Sequence, residues 1–114
     1  MPSSIEALVQ RQLEAYNRHD LEQFLACYSP EVEVRTFPEQ TLLMTGRGEM
    51  RERYASLFER GTVQAELLQR MTLGDVAIDY ERVEGLEDQP GHVDAVAMYH
   101  VEGDFIRRVW FIKP

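Results

Sequence analysis

The chain has 114 residues, enough for one hydrophobic core and too few for two, so a single domain spanning 1–114 is expected. Hydrophobic residues make up 44% and charged residues 28%, an ordinary globular balance that excludes the disordered and fibrous classes. Twenty Asp and Glu against twelve Lys and Arg give a formal charge of −8, which argues against a nucleic-acid-binding surface built on clustered cations.

Ser3 and Glu6 form a capping-box pattern at the head of a helix over about 4–18. Ile5, Leu8, Val9, Gln12, Leu13 and Tyr16 recur along it at helical spacing. Asp20 is the next N-cap, and Leu21, Phe24, Leu25 and Tyr28 mark a second helix that Ser29–Pro30 should stop. Glu31 to Arg35 alternate and predict a strand ending near Pro38, and Thr41 to Thr45 a short strand before Gly46-Arg47-Gly48. A third helix over about 49–60 buries Met50, Tyr54, Leu57 and Phe58, with Gly61 as a left-handed cap. The period then changes from 3.6 to 2. Thr62 to Leu73 is a long strand whose alternation breaks at Leu67–Leu68, which predicts a bulge. Gly74–Asp75 is a turn into a strand from Val76, and Gly85 to Gly91 an acidic, mobile loop. The last two strands, Ala95 to Val101 and Phe105 to Ile112, are joined through Glu102-Gly103-Asp104 as a hairpin. Helices early and strands late place the chain in the α+β class, with three helices packed on one face of a curved antiparallel sheet. A strongly bent sheet leaves a cone, and an internal pocket, between itself and the helices.

Cys27 is the sole cysteine, so no intrachain disulfide or multi-cysteine zinc site is available; it reads as a small core residue. No signal peptide is expected at Met1–Ser4, and no apolar run approaches the roughly 20 residues that cross a bilayer. A cytoplasmic protein with no membrane partner is expected.

Three stretches carry a family resemblance: Val9 to Asp20 with Phe24 and Tyr28 beyond it, Gly46-Arg47-Gly48 leading into Met50 to Tyr54, and the closing hairpin from Tyr99 to Ile112. Their order and spacing resemble the nuclear-transport-factor-2-like superfamily, in its SnoaL-like and ketosteroid-isomerase-like branch. The resemblance implies a cone-shaped fold, a pocket at the cone mouth and frequent homodimers, but no one activity. Ketosteroid isomerases use an Asp base, a Tyr donor and a second, protonated acid. Carried over by resemblance, the donor falls on Gln12, the base on or near Thr36 and the second acid on Tyr99. Only Tyr99 keeps an oxyanion donor, so steroid isomerisation by that mechanism is not expected, and Tyr99 is the candidate catalytic residue.

The same phase places Ile78, Tyr80, Arg82, Tyr99, Arg108 and Trp110 on the concave face, because Arg108 and Trp110 alternate with Ile106 and Ile112. With Gln12, Tyr16 and Thr36 these form the candidate ligand-binding set. Two guanidiniums and two phenols around an indole suit a flat apolar or aromatic molecule bearing a carboxylate or carbonyl. The competing explanation is that internal carboxylates satisfy Arg82 and Arg108. Asp79 and Glu81 share one strand face; inward they would be an acid–base pair, but this phase sets them outward beside Arg107. His19, His92 and His100 are scattered, with His19 solvated and His100 on the convex face, so no metal is expected. Gly46-Arg47-Gly48 is too short for a phosphate loop, and neither a nucleophile motif nor a cofactor is expected. The sequence therefore points to a homodimeric small-molecule-binding domain, with proton transfer, hydration or cyclisation as the chemistry open to it. A non-catalytic binding or protein-interaction module is the alternative.

Overall fold

The computed structural model describes residues 4–87 and 89–114, which leaves the Ser3 capping box outside the described residues. Helix α1 (Ser4–Arg18) turns its apolar stripe inward, burying Ile5, Leu8, Val9 and Leu13. Helix α2 (Leu21–Ala26) is capped by Asp20, whose carboxylate accepts from the Gln23 amide at 3.1 Å. It ends two residues earlier than its apolar spacing predicts. Tyr28 opens strand β1 (Tyr28–Thr36), and Ser29–Pro30 lies within that strand. The tolerance has a reason: the β1 ladder shifts register between Tyr28 and Glu33, so Pro30 sits where the missing N–H breaks no regular rung.

Strand β2 (Leu42–Thr45) and helix α3 (Gly46–Arg60) follow, with Gly61 in the left-handed conformation (φ 67°) where the helix stops. Strands β3 (Gln64–Leu73), β4 (Val76–Glu84), β5 (His92–Glu102) and β6 (Phe105–Ile112) complete a curved, unclosed sheet in the order β2-β1-β6-β5-β4-β3. Every neighbouring pair is antiparallel except β1 with β6, which run parallel. The predicted bulge is present: Leu67 pairs with Glu81 and Gln69 with Tyr80, leaving Leu68 between them. A second bulge lies in β6, where Val101 pairs with Ile106 but His100 with Arg108. Such insertions deepen the bend of a sheet.

The helices cover the concave face. Phe24 is the centre of their packing, with its ring 4.7 Å from Tyr54, 5.0 Å from Tyr28, 5.4 Å from Phe58 and 6.0 Å from Tyr16. The end of α1 is fastened to β3 by Asn17, whose amide donates to the Ala65 carbonyl (2.9 Å) and accepts from the Ala65 N–H (2.8 Å). His19, expected in solvent, is half-buried and lies 2.7 Å from the Val63 carbonyl. Cys27 is buried at the α2 C-cap. Among the described residues, no helix is long and apolar enough to cross a membrane.

Candidate functional site

A cavity of about 290 Å³ opens between the helices and the concave face. Its room comes from sequence: Ala95 of β5 and Ala65 of β3 face it, and neither carries a side chain long enough to fill the cone. Tyr16, Phe24, Tyr54 and Leu57 line it from the helices, and Ala65, Val83, Val93 and Phe111 from the sheet. The buried side chains Gln12, Tyr28, Tyr99 and Glu81 mark its inner end, and the exposed Leu43, Arg53 and Lys113 its mouth.

The inner end is a directed hydrogen-bond chain. The Tyr28 hydroxyl donates to Gln12 Oε1 (2.8 Å), and Gln12 Nε2 donates to the Tyr99 hydroxyl oxygen (3.1 Å). Tyr99 thus accepts from Gln12 and keeps its own proton undirected among the described residues. Burial, and next the nearby Glu81 charge, push the Tyr99 phenol well above its ordinary pKa, so it holds that proton at neutral pH. Burial likewise raises Tyr28 and Tyr16, and takes Tyr54 to about 12.

Beside this chain stand two carboxylates. Asp79 is fully buried, and Arg70 clasps it with two parallel bonds, Nε to Oδ1 at 2.7 Å and Nη2 to Oδ2 at 3.0 Å. Arg70 Nη1 also donates to Gln10 Oε1 on α1 (3.0 Å). Glu81 is only 8% exposed, borders the cavity and has no hydrogen-bond partner among the described residues. Burial first, then the Asp79 charge, raise its carboxyl to about 7, with Arg70 pulling the other way. A carboxyl poised there exchanges a proton in either direction at neutral pH.

The sequence-derived set divides between the two faces of the sheet. Gln12, Tyr16 and Tyr99 border the cavity. Tyr80, Arg82, Arg108 and Trp110 do not, and the correction is one of phase. Glu81 pairs with Ala95 and Ala77 with Tyr99, so Tyr99 shares its face with Asp79 and Glu81, not with Tyr80 and Arg82. On the convex face Asp94 accepts from the Tyr80 hydroxyl (2.8 Å) and Arg82 (3.3 Å). Arg108 lies 3.2 Å from His100 Nδ1, and the Trp110 indole N–H donates to Gln40 Oε1 (3.0 Å). The β6 bulge explains the inversion there: Ile106 and Val109 both point inward, and Arg108 and Trp110 are carried outward. Thr36 also lies off the cavity, where its hydroxyl accepts from the Thr41 amide (3.2 Å) at the end of β1. Asp79 and Glu81, expected outward beside Arg107, are the inward pair. Ala95-x-Ala97-x-Tyr99 was the available signal, since small residues alternating with a buried phenol mark a concave face.

The SnoaL-like domain family matches the chain over residues 9–109. An uncharacterized cystatin-fold protein from Novosphingobium aromaticivorans is similar in structure, with a TM-score of 0.86 at 24% identity over 99% of this chain and 100% of that one. An NTF2-like protein of unknown function from Mesorhizobium loti has a TM-score of 0.82 at 15% identity, over 97% of this chain and 91% of its own. TerC, crystallized with polyporic acid, has a TM-score of 0.82 at 16% identity, over 98% and 92% of the two chains. These likenesses show the cone fold. No curated protein is significantly similar.

Proposed function

The chain belongs to the SnoaL-like domain family, and from that premise we propose that its cavity binds a small apolar or aromatic molecule bearing a carbonyl and moves a proton on it. Glu81 is the acid–base group and Tyr99 the donor to the carbonyl oxygen. One observation carries this reading: a nearly buried carboxyl with no hydrogen-bond partner among the described residues borders a cavity that Tyr99 also lines. The Glu81 oxygens reach the cavity instead of a protein donor, and burial penalises the charged form, which a functional role explains and packing does not. The Gln12 amide donates to the Tyr99 oxygen and Tyr28 fixes the amide, which leaves the Tyr99 proton free for the guest. Gln12 and Tyr16 serve as lining. That TerC crystallizes with polyporic acid supports a small organic guest for this fold.

Exchange of the α-protons of 2-tetralone in deuterated buffer, followed by NMR, tests the chemistry. The rate should rise with pH through about 7, as Glu81 becomes the carboxylate base. Glu81→Gln should abolish the enzymatic exchange, and Tyr99→Phe should slow it by about a hundredfold. Exchange that persists unchanged in Glu81→Gln refutes the assignment.

A second feature supports homodimer formation and keeps an interaction role in view. The sheet surface away from the helices exposes Leu73 (85%), Met71 (56%) and Tyr80 (42%), side chains that a two-fold contact would cover. A cytoplasmic setting fits the single cysteine.

A further inference from the structure

We propose that the ligand is bipolar, with its carbonyl at the buried end of the cavity and a carboxylate held at the mouth by Arg53 and Lys113. This rests on the reading of the cavity as a ligand site and adds the chemical class of the guest. The inner end disfavours an anion. Glu81 and Asp79 stand there together, and the one guanidinium nearby, Arg70, is already committed to Asp79 and Gln10. A neutral oxygen that accepts from Tyr99 fits; a second carboxylate meets like charge.

The mouth has the opposite character. Arg53 projects from α3 and Lys113 follows β6, and both border the cavity and the shallow depression that continues outward from it past Leu57 and Leu86. The other arginines of α3 have protein acceptors: Arg47 donates to the Tyr28 carbonyl, Arg51 to Glu22 and Arg60 to Glu87. Among the described residues, no carboxylate or carbonyl takes the Arg53 guanidinium, and none takes Lys113, the only lysine of the chain. The depression also carries Glu52 and Glu87, but Arg60 takes Glu87, so in a chain of formal charge −8 Arg53 and Lys113 outnumber the one remaining carboxylate among the described residues that line the mouth. An amphipathic guest is thereby oriented, with its charged end outward and its ring system against Tyr54, Leu57 and Phe111.

Calorimetry with two flat ketones, 9-oxofluorene-2-carboxylate and its neutral carboxamide, tests the inference. The carboxylate should bind about tenfold more tightly at low salt, a preference of the size two partly exposed ion pairs supply. In the double variant Arg53→Gln/Lys113→Gln the preference should vanish while the carboxamide binds as before. Equal affinities in the unaltered protein, or a preference that survives in the double variant, overturn the bipolar ligand and leave the cavity reading standing. If neither ketone binds, the cavity reading falls and this inference with it.

Discussion

Replacing Glu81 with glutamine should make the protein more stable, and only at neutral to alkaline pH. Glu81 titrates near 7 in the folded chain against an ordinary value of 4.5. The folded state therefore binds a proton more readily than the unfolded state, and stability falls as pH rises from about 4.5 to 7. Two and a half pH units correspond to about 3 kcal/mol at pH 8, fully developed above 7. At pH 5 the difference shrinks to under about 1 kcal/mol, because Glu81 is protonated in the folded state and half-ionised or more only in the unfolded one. Glutamine keeps the shape and removes the ionisation. With the entropy of unfolding typical of a chain this length, the variant should melt roughly 10 °C higher at pH 8 and within a few degrees of the parent at pH 5. Thermal melts of both proteins across pH 5–8 give the comparison, and contributions from the other carboxyls cancel in the difference. A variant no more stable than its parent at pH 8 would refute the idea of a strained, unpartnered carboxyl at the cavity.

Arg70→Met leaves Asp79 buried without its partner and should destabilise the fold by about 3–5 kcal/mol in urea titrations, with Arg70→Met/Asp79→Asn recovering a large part of that loss. Gly85→Ala should cost more than about 2 kcal/mol, since φ there is 79° and the added methyl would lie 2.0 Å from the Thr62 carbonyl oxygen; a melting temperature within a degree or two of the parent would contradict this. Light scattering at micromolar concentration should return the mass of a dimer, and Leu73→Glu/Met71→Glu should shift it toward the monomer. Tryptophan emission reports on Trp110 alone: as a half-buried indole on the convex face, it should be left unchanged by a ligand that fills the cavity.

Much of this structure is legible in the sequence because its signals are local. Helical spacing in Ile5 to Tyr16, the Asp20 cap and the Gly61 stop each act within a few residues, and all three appear where expected. The Gly74–Asp75 turn does more, since a two-residue hairpin pairs Leu73 with Val76 and so sets Arg70 opposite Asp79 by counting alone. What local signals leave open is which face of each strand meets the helices. For β4 and β5 that depends on a connection, Gly85 to Gly91, that fixes no register. For β6 it depends on the bulge, which no residue between Ile106 and Val109 announces. Tyr99 and Gln12, reached through family resemblance, border the cavity, whereas Glu81 is assigned to the wrong face by an otherwise consistent alternation.

The extra residue in β6 also bears on how such a cavity diversifies. Between the Val101–Ile106 and His100–Arg108 pairs, one surplus position decides whether Val109 and Phe111 or Arg108 and Trp110 look inward. Loss of a single codon at Arg107 would remove the bulge and leave Val109 and Phe111 facing inward, whereas an unbulged pairing of the full-length strand would bring Arg108 and Trp110 to the face of Ile106, with no substitution anywhere in the strand. What the cavity wall is made of is thereby held by a residue that does not line it, and shifting where the strand takes up its surplus position would change what the cavity admits without altering a single side chain.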